Sequence, residues 1–135
     1  MATKGRRDRR SAPVILIVDD DAYVHSTLSA AMRGLRHEVL HATTATDGLR
    51  LALAQRPALA IIDVGLPDLD GYALTRAMRD RVGLAAMRIC ILTGHLPDET
   101  LAATAGADAI VCKPFRLDEF LAIVREQLGM TTGED

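Results

Sequence analysis

Three aspartates stand in a row at Asp19-Asp20-Asp21, and a fourth, Asp63, closes a separate apolar run. Thr93 and Lys113 close two more such runs. Carboxylates gathered within a few ångströms cannot all ionise comfortably, and one pKa is driven up. A divalent cation removes the conflict. Hard oxygen ligands suit Mg²⁺, which takes one or two carboxylates, several waters and a phosphate. No cysteine or histidine stands among these aspartates to favour zinc. A lysine beside them would offer a compact point charge, suited to a phosphoryl oxygen in a tight crevice. Composition singles Lys113 out, because the chain has fourteen arginines and only two lysines, Lys4 and Lys113. Each residue also has a plainer reading. Asp19–Asp21 suit a helix cap, with Asp21 the expected N-cap. Asp63 suits a turn, Thr93 an ordinary strand, and Lys113 a solvated surface. Their joint occurrence at the ends of different strands is what points to chemistry.

The elements that would position them follow from hydrophobic pattern. Val14-Ile15-Leu16-Ile17-Val18 is a short unbroken β-branched run, as expected of a strand buried on both faces. Val24, Leu28, Ala31 and Leu35 recur at helical spacing, with Gly34 near the expected cap. A shorter strand is expected at Glu38–His41, then a helix from Thr46 to Gln55 that stops before Pro57. Leu59–Ile62 reads as a second buried strand. Leu66–Gly71 reads as a loop and Tyr72–Arg81 as a helix. Ile89–Leu92 is the next strand, followed by a helix around Asp98–Ala105 that precedes Gly106. Ala109–Cys112 is the last strand, and Leu117, Phe120, Leu121, Val124 and Leu128 mark an amphipathic final helix. Five strand–helix alternations imply a parallel sheet covered by helices on both faces. In such sheets, sites form beyond the carboxyl ends of the strands, which is where the four chemical positions fall.

Length and composition bound the rest. The chain has 135 residues, 49% hydrophobic and 25% charged, which suits one globular domain and excludes a wholly disordered chain. No apolar run approaches the ~18 residues of a membrane span, and no apolar stretch follows the N-terminal charges as in a secretory signal. Two cysteines without metal spacing suggest a reducing, cytoplasmic setting. Lys4, Arg6, Arg7, Arg9 and Arg10 crowd the first ten residues, leaving the remainder acidic. Residues 1–12 are expected to form a solvated, disordered basic tail. Contact with nucleic acid or anionic lipid is the other reading of that charge, but no aromatic residue is present there to stack on a base. Residues 130–135 are expected to form a second short tail, with one folded domain over 13–129.

Val18-Asp19-Asp20-Asp21, Asp63-Val64-Gly65-Leu66-Pro67-Asp68-Leu69-Asp70-Gly71, Leu92-Thr93-Gly94 and Lys113-Pro114-Phe115 together resemble the receiver domain of two-component response regulators. The resemblance covers about residues 13–129. It implies an α/β, flavodoxin-like, doubly wound parallel sheet of five strands in the order 2-1-3-4-5, with five helices. It implies that Asp63 is the phosphoacceptor and that the cofactor is Mg²⁺. Asp20 would be a direct metal ligand and Asp19 would act mainly through a metal-bound water. Asp63 and the backbone carbonyl of Gly65 would complete the metal site. Thr93 and Lys113 would each meet a phosphoryl oxygen, and Pro114 would follow a cis peptide bond. The implied partners are a sensor histidine kinase or histidine phosphotransfer protein and an unknown downstream protein. Direct DNA binding by the domain, a membrane role, and enzymatic activity beyond its own phosphorylation and dephosphorylation are not expected.

Some features depart from the family pattern. An aromatic residue is common three positions before the lysine, and here that position is Ile110. This favours the main alternative, an interaction module that works without phosphorylation. Gly65 and His95 occupy positions that tune phosphate lifetime in the family, although an exposed loop is the simpler reading of His95. His25, His37 and His41 have no visible role in the sequence, and Cys90 and Cys112 are expected to pack as small apolar residues. A phosphohydrolase of the haloacid-dehalogenase type, with Asp19 as nucleophile and Asp21 as acid–base, would leave Asp63 unexplained in a short chain. A flavin or nucleotide domain would need a Gly- or Ser/Thr-rich turn after the first strand. Within these 135 residues no output domain is expected after the last helix.

Overall fold

The first strand, β1, runs Val14–Val18, with every residue buried. A computed structural model of the protein describes residues 13–129 apart from Arg36 and Val82. The expected tails at 1–12 and 130–135 therefore lie outside the described residues. After β1 come helix α1 (Ala22–Ala31), strand β2 (Glu38–Ala42), α2 (Ala45–Gln55), β3 (Leu59–Asp63), α3 (Gly71–Arg79), β4 (Arg88–Thr93), α4 (Glu99–Ala105), β5 (Ala109–Cys112) and α5 (Leu117–Gln127). All strand pairs are parallel, in the order β2-β1-β3-β4-β5. This is the expected doubly wound topology.

Period-two alternation sends neighbouring strand residues to opposite faces, and here both faces are covered. Leu16, Val18, Ala60, Ile62, Ile89 and Ile91 pack with Ala52 of α2, Leu74 and Met78 of α3 and Ala102 of α4. Ile15, Ile17, Leu59, Ile61, Cys90 and Leu92 pack with Leu28 of α1 and Phe120 and Val124 of α5. Each fully buried aliphatic side chain contributes about 1.5–3 kcal/mol relative to exposure. That double burial explains why the central strands read as unbroken apolar runs.

Helix ends follow capping chemistry. Asp21, Thr44, Asp70 and Asp98 accept backbone N–H groups at the starts of α1, α2, α3 and α4. Asp21 is the cap expected from sequence. The α5 helix lacks a side-chain cap but carries Asp118 and Glu119 in its first turn, where negative charge suits the helix dipole. Most boundaries shift from expectation by one residue, and those around α1 and at the end of α3 shift further. α1 stops at Ala31 and a 3₁₀ turn, Met32–Gly34, follows, so Gly34 closes that turn rather than α1. Leu35 is extended yet buried, and its apolar spacing reports the core rather than the helix. α3 ends two residues early, at Arg79.

Arg79 secures the end of the sheet opposite the site. Its guanidinium donates to the carbonyls of Gly106, Leu84, Ala85 and Met87 and to the Asp108 carboxylate. Asp108 also accepts the N–H of Ile89, the second residue of β4.

Candidate functional site

Parallel register brings the strand ends level. Val18 lies opposite Ala42 and Ile62, Asp63 opposite Leu92, and Thr93 opposite Cys112. Asp19, Asp63, Thr93 and Lys113 therefore emerge side by side at the carboxyl edge of β1, β3, β4 and β5. One carboxylate oxygen from each of Asp19, Asp20 and Asp63 falls within 4.8 Å of the others. Lys113 Nζ bridges two of them, at 2.7 Å from Asp63 Oδ1 and 3.2 Å from Asp19 Oδ2. The four charges thus share one crevice, as the sequence required.

Surroundings fix each group. Asp19 is almost fully buried; its Oδ1 accepts the Asp21 N–H, and its own N–H donates to the Ala42 carbonyl. Asp63 is also buried, and its Oδ2 accepts the Gly65 N–H at 2.9 Å. Asp20 is exposed at the mouth. Thr93 is buried, with Oγ1 accepting the His95 N–H. The ring-bearing residue His95 is itself exposed, as expected. Gly71 meets a steric demand: a β-carbon there would run into the Asp63 backbone carbonyl. The Lys113–Pro114 bond is cis, as expected.

Electrostatics show an unbalanced cluster. Burial pushes the Asp19 carboxyl above its usual range; the Asp21 N–H opposes this, Asp63 adds to it, and Lys113 opposes it. Burial alone would pull the Lys113 ammonium down. Its hydrogen bond to Asp63 and the charges of both aspartates outweigh that and raise it above the ordinary lysine value. One ammonium faces three carboxylates, so the donor set retains excess negative charge and consists of oxygen alone. That combination fits a hard divalent cation such as Mg²⁺.

Sequence reasoning missed two features. Asp68, in the β3–α3 loop, reaches across to α2 and accepts from the Ala45 N–H, the Thr46 N–H and the Thr46 hydroxyl. These bonds push its pKa down to about 2, the Ala45 and Thr46 N–H groups contributing most. Its separation from α2 in sequence hid this contact. The second feature is a histidine pair: His25 and His41 have their Nδ1 atoms 2.7 Å apart. Their residue types gave no signal because they come from different elements. Cys90 is buried, as expected, but Cys112 is only partly so, with Sγ 3.2 Å from the His95 carbonyl, because β5 is an edge strand.

The sequence matches the profile of the response regulator receiver domain over residues 15–125. The chain belongs to the response regulator receiver family. Among its relatives is the DNA-binding dual master transcriptional regulator RpaA of Synechocystis, 32% identical over 121 residues covering 88% of this chain and 50% of that one. The chain spans about half the length of the curated relatives it matches. A CheY-like response regulator receiver domain protein from Methanospirillum hungatei shares 30% identity at a TM-score of 0.81, covering 88% of this chain and 95% of that one. The receiver domain of sensor histidine kinase PA1611 from Pseudomonas aeruginosa, solved with magnesium coordinated in its active site cleft, shares 28% identity at a TM-score of 0.79. That match covers 88% of this chain and 99% of the other. No helix among the described residues of this receiver is long and apolar enough to cross a membrane.

Proposed function

We propose that this receiver accepts a phosphoryl group from a phosphohistidine onto Asp63 and signals through protein–protein contact. The supporting observation is the Lys113 ammonium 2.7 Å from Asp63, inside a cluster whose three carboxylates lie within 4.8 Å of one another. An Asp63 oxygen attacks phosphorus in line, the P–N bond breaks, and the imidazole of the donor leaves with its electron pair. The product is an acyl phosphate on Asp63. Gly65 N–H and Lys113 orient the two oxygens of Asp63 before attack. Lys113 then offsets charge on a phosphoryl oxygen, and the Thr93 hydroxyl hydrogen-bonds another. Asp20 and Asp63 would hold Mg²⁺ directly, with the Gly65 carbonyl, and Asp19 through a water. The ion supplies charge neutralisation at the phosphoryl oxygens. The donor would be a sensor histidine kinase or a histidine phosphotransfer protein, and turnover would be limited to the receiver's own phosphate. Water reaching the same site ends the signal by hydrolysis.

Ile110 supports a second reading. It is partly buried against the core on the α2–α3–α4 face, where the family often carries an aromatic residue. A receiver that engages its partner without phosphorylation would be consistent with that anchored side chain. Incubation with Mg²⁺ and acetyl phosphate, followed by intact-mass measurement, separates the two. The phosphoacceptor reading expects one hydroxylamine-labile phosphate per chain, lost in Asp63→Asn. No mass gain, with a related receiver phosphorylated in parallel, would overturn it.

A further inference from the structure

His25 of α1 and His41 of β2 come together beside the acidic site, with His25 bonded to the backbone of Asp19 rather than to its carboxylate. His25 is about nine-tenths buried, and its Nε2 lies 2.6 Å from the Asp19 backbone carbonyl. A carbonyl only accepts, so Nε2 carries a proton, and whenever the ring is neutral its Nδ1 lone pair is turned outward. That lone pair points at His41 Nδ1, 2.7 Å away. The ring centroids are 4.8 Å apart and the rings are inclined at 62°. Anchoring one ring nitrogen on a backbone carbonyl, which leaves the other to serve as a ligand, is the arrangement that orients metal-ligating histidines.

The geometry points to a second cation site: we propose that His25 Nδ1 and His41 Nδ1 together bind a borderline divalent ion of the Zn²⁺ class. Imidazole nitrogens suit Zn²⁺, Cu²⁺ or Ni²⁺ and not Mg²⁺, so the two sites sort ions by ligand hardness. Bonds of about 2.0–2.1 Å at roughly tetrahedral angles place two nitrogens ~3.3 Å apart. From the observed 2.7 Å the pair must open by roughly 0.6 Å, and the rings must turn until both lone pairs meet at the ion. The remaining coordination positions face a cleft of about 560 Å³, lined by Ser26, Ser29 and Thr43, with room for waters. Arg33 also lines that cleft and opposes the ion. Two protein ligands beside a cationic rim make this an exchangeable site rather than a structural one.

The site makes a specific demand on His41. Without metal and with both rings neutral, its Nδ1–H donates to His25, leaving Nε2 as the acceptor facing the Ser29 hydroxyl at 3.5 Å. With metal on both Nδ1 atoms, the His41 proton must move through solvent to Nε2. Zn²⁺ added to the full chain in excess millimolar Mg²⁺ should bind once, measured by calorimetry. His41→Gln should weaken binding at least about tenfold, since even an outer-shell partner of a metal is worth ~10–100-fold. Nitrogen-correlated NMR of the wild-type rings, recorded at a pH where both are seen to be neutral, should show His41 changing from the Nδ1–H to the Nε2–H tautomer on Zn²⁺ addition. No Zn²⁺ binding, equal binding by His41→Gln, or an unchanged His41 tautomer would overturn the proposal.

Discussion

Two substitutions in the acidic crevice should have very unequal consequences although both remove a charge from the same ion pair. Lys113 stands 2.7 Å from Asp63 and 3.2 Å from Asp19. At an effective dielectric near 20, a unit pair at 2.7 Å interacts by about 6 kcal/mol and one at 4.8 Å by about 3.5 kcal/mol, before solvation is counted. Asp63 therefore gains about 6 kcal/mol from Lys113 and loses at least ~3.5 kcal/mol to each of Asp19 and Asp20. These contributions nearly cancel. Asp63→Asn, which can still accept the Gly65 N–H, should change the stability of metal-free protein by less than about 1 kcal/mol. Lys113→Met leaves three carboxylates without their cation. Breaking a fully buried pair costs about 3–5 kcal/mol, and the partial exposure of Lys113 sets the expected loss at about 2–3 kcal/mol. Millimolar Mg²⁺ should then restore more stability to Lys113→Met than to wild type. Tenfold tighter binding under excess ion is worth about 1.4 kcal/mol. Urea denaturation with and without Mg²⁺ measures all of these. Equal losses for the two variants, or equal Mg²⁺ rescue, would refute the electrostatic account.

Asp68 titrates near 2 in the folded protein against 3.8 ordinarily, so its contribution to stability is present above about pH 4 and lost as pH falls toward 2. Asp68→Asn should flatten that part of the stability–pH curve in urea melts. Burial pushes the Cys90 thiol up to about 12, whereas Cys112 is partly exposed. A thiol reagent should therefore label one cysteine in native protein at neutral pH, and mapping should place it at Cys112, with Cys90 reacting only on unfolding.

Much of this architecture was legible in the sequence because doubly buried strands must be apolar throughout. β1, β3 and β4 announced themselves, and what ended each run named the chemical groups. The alternation of elements then forced those ends to one edge. Edge strands carried weaker signals, and β2, half-exposed along most of its length, was recognised one residue short. Leu35 misled the end of α1 because burial by a loop looks, in sequence, like burial by a helix. The Asp68 bridge and the His25–His41 pair stayed hidden for a common reason. Each joins residues whose neighbours are unremarkable, and only the three-dimensional path of α1, β2 and α2 brings them into contact.

The guanidinium of Arg79 gives the molecule a stiff heel. One side chain ties the end of α3 to the approach to β4 and to the turn that precedes β5, using donors along the whole planar fork. A lysine could not replace it, since a single ammonium cannot span acceptors on three separate segments. That pole is fastened, and the loops that carry the charged groups lie at the opposite one. Any rearrangement that accompanies the proposed phosphorylation is expected at that charged rim.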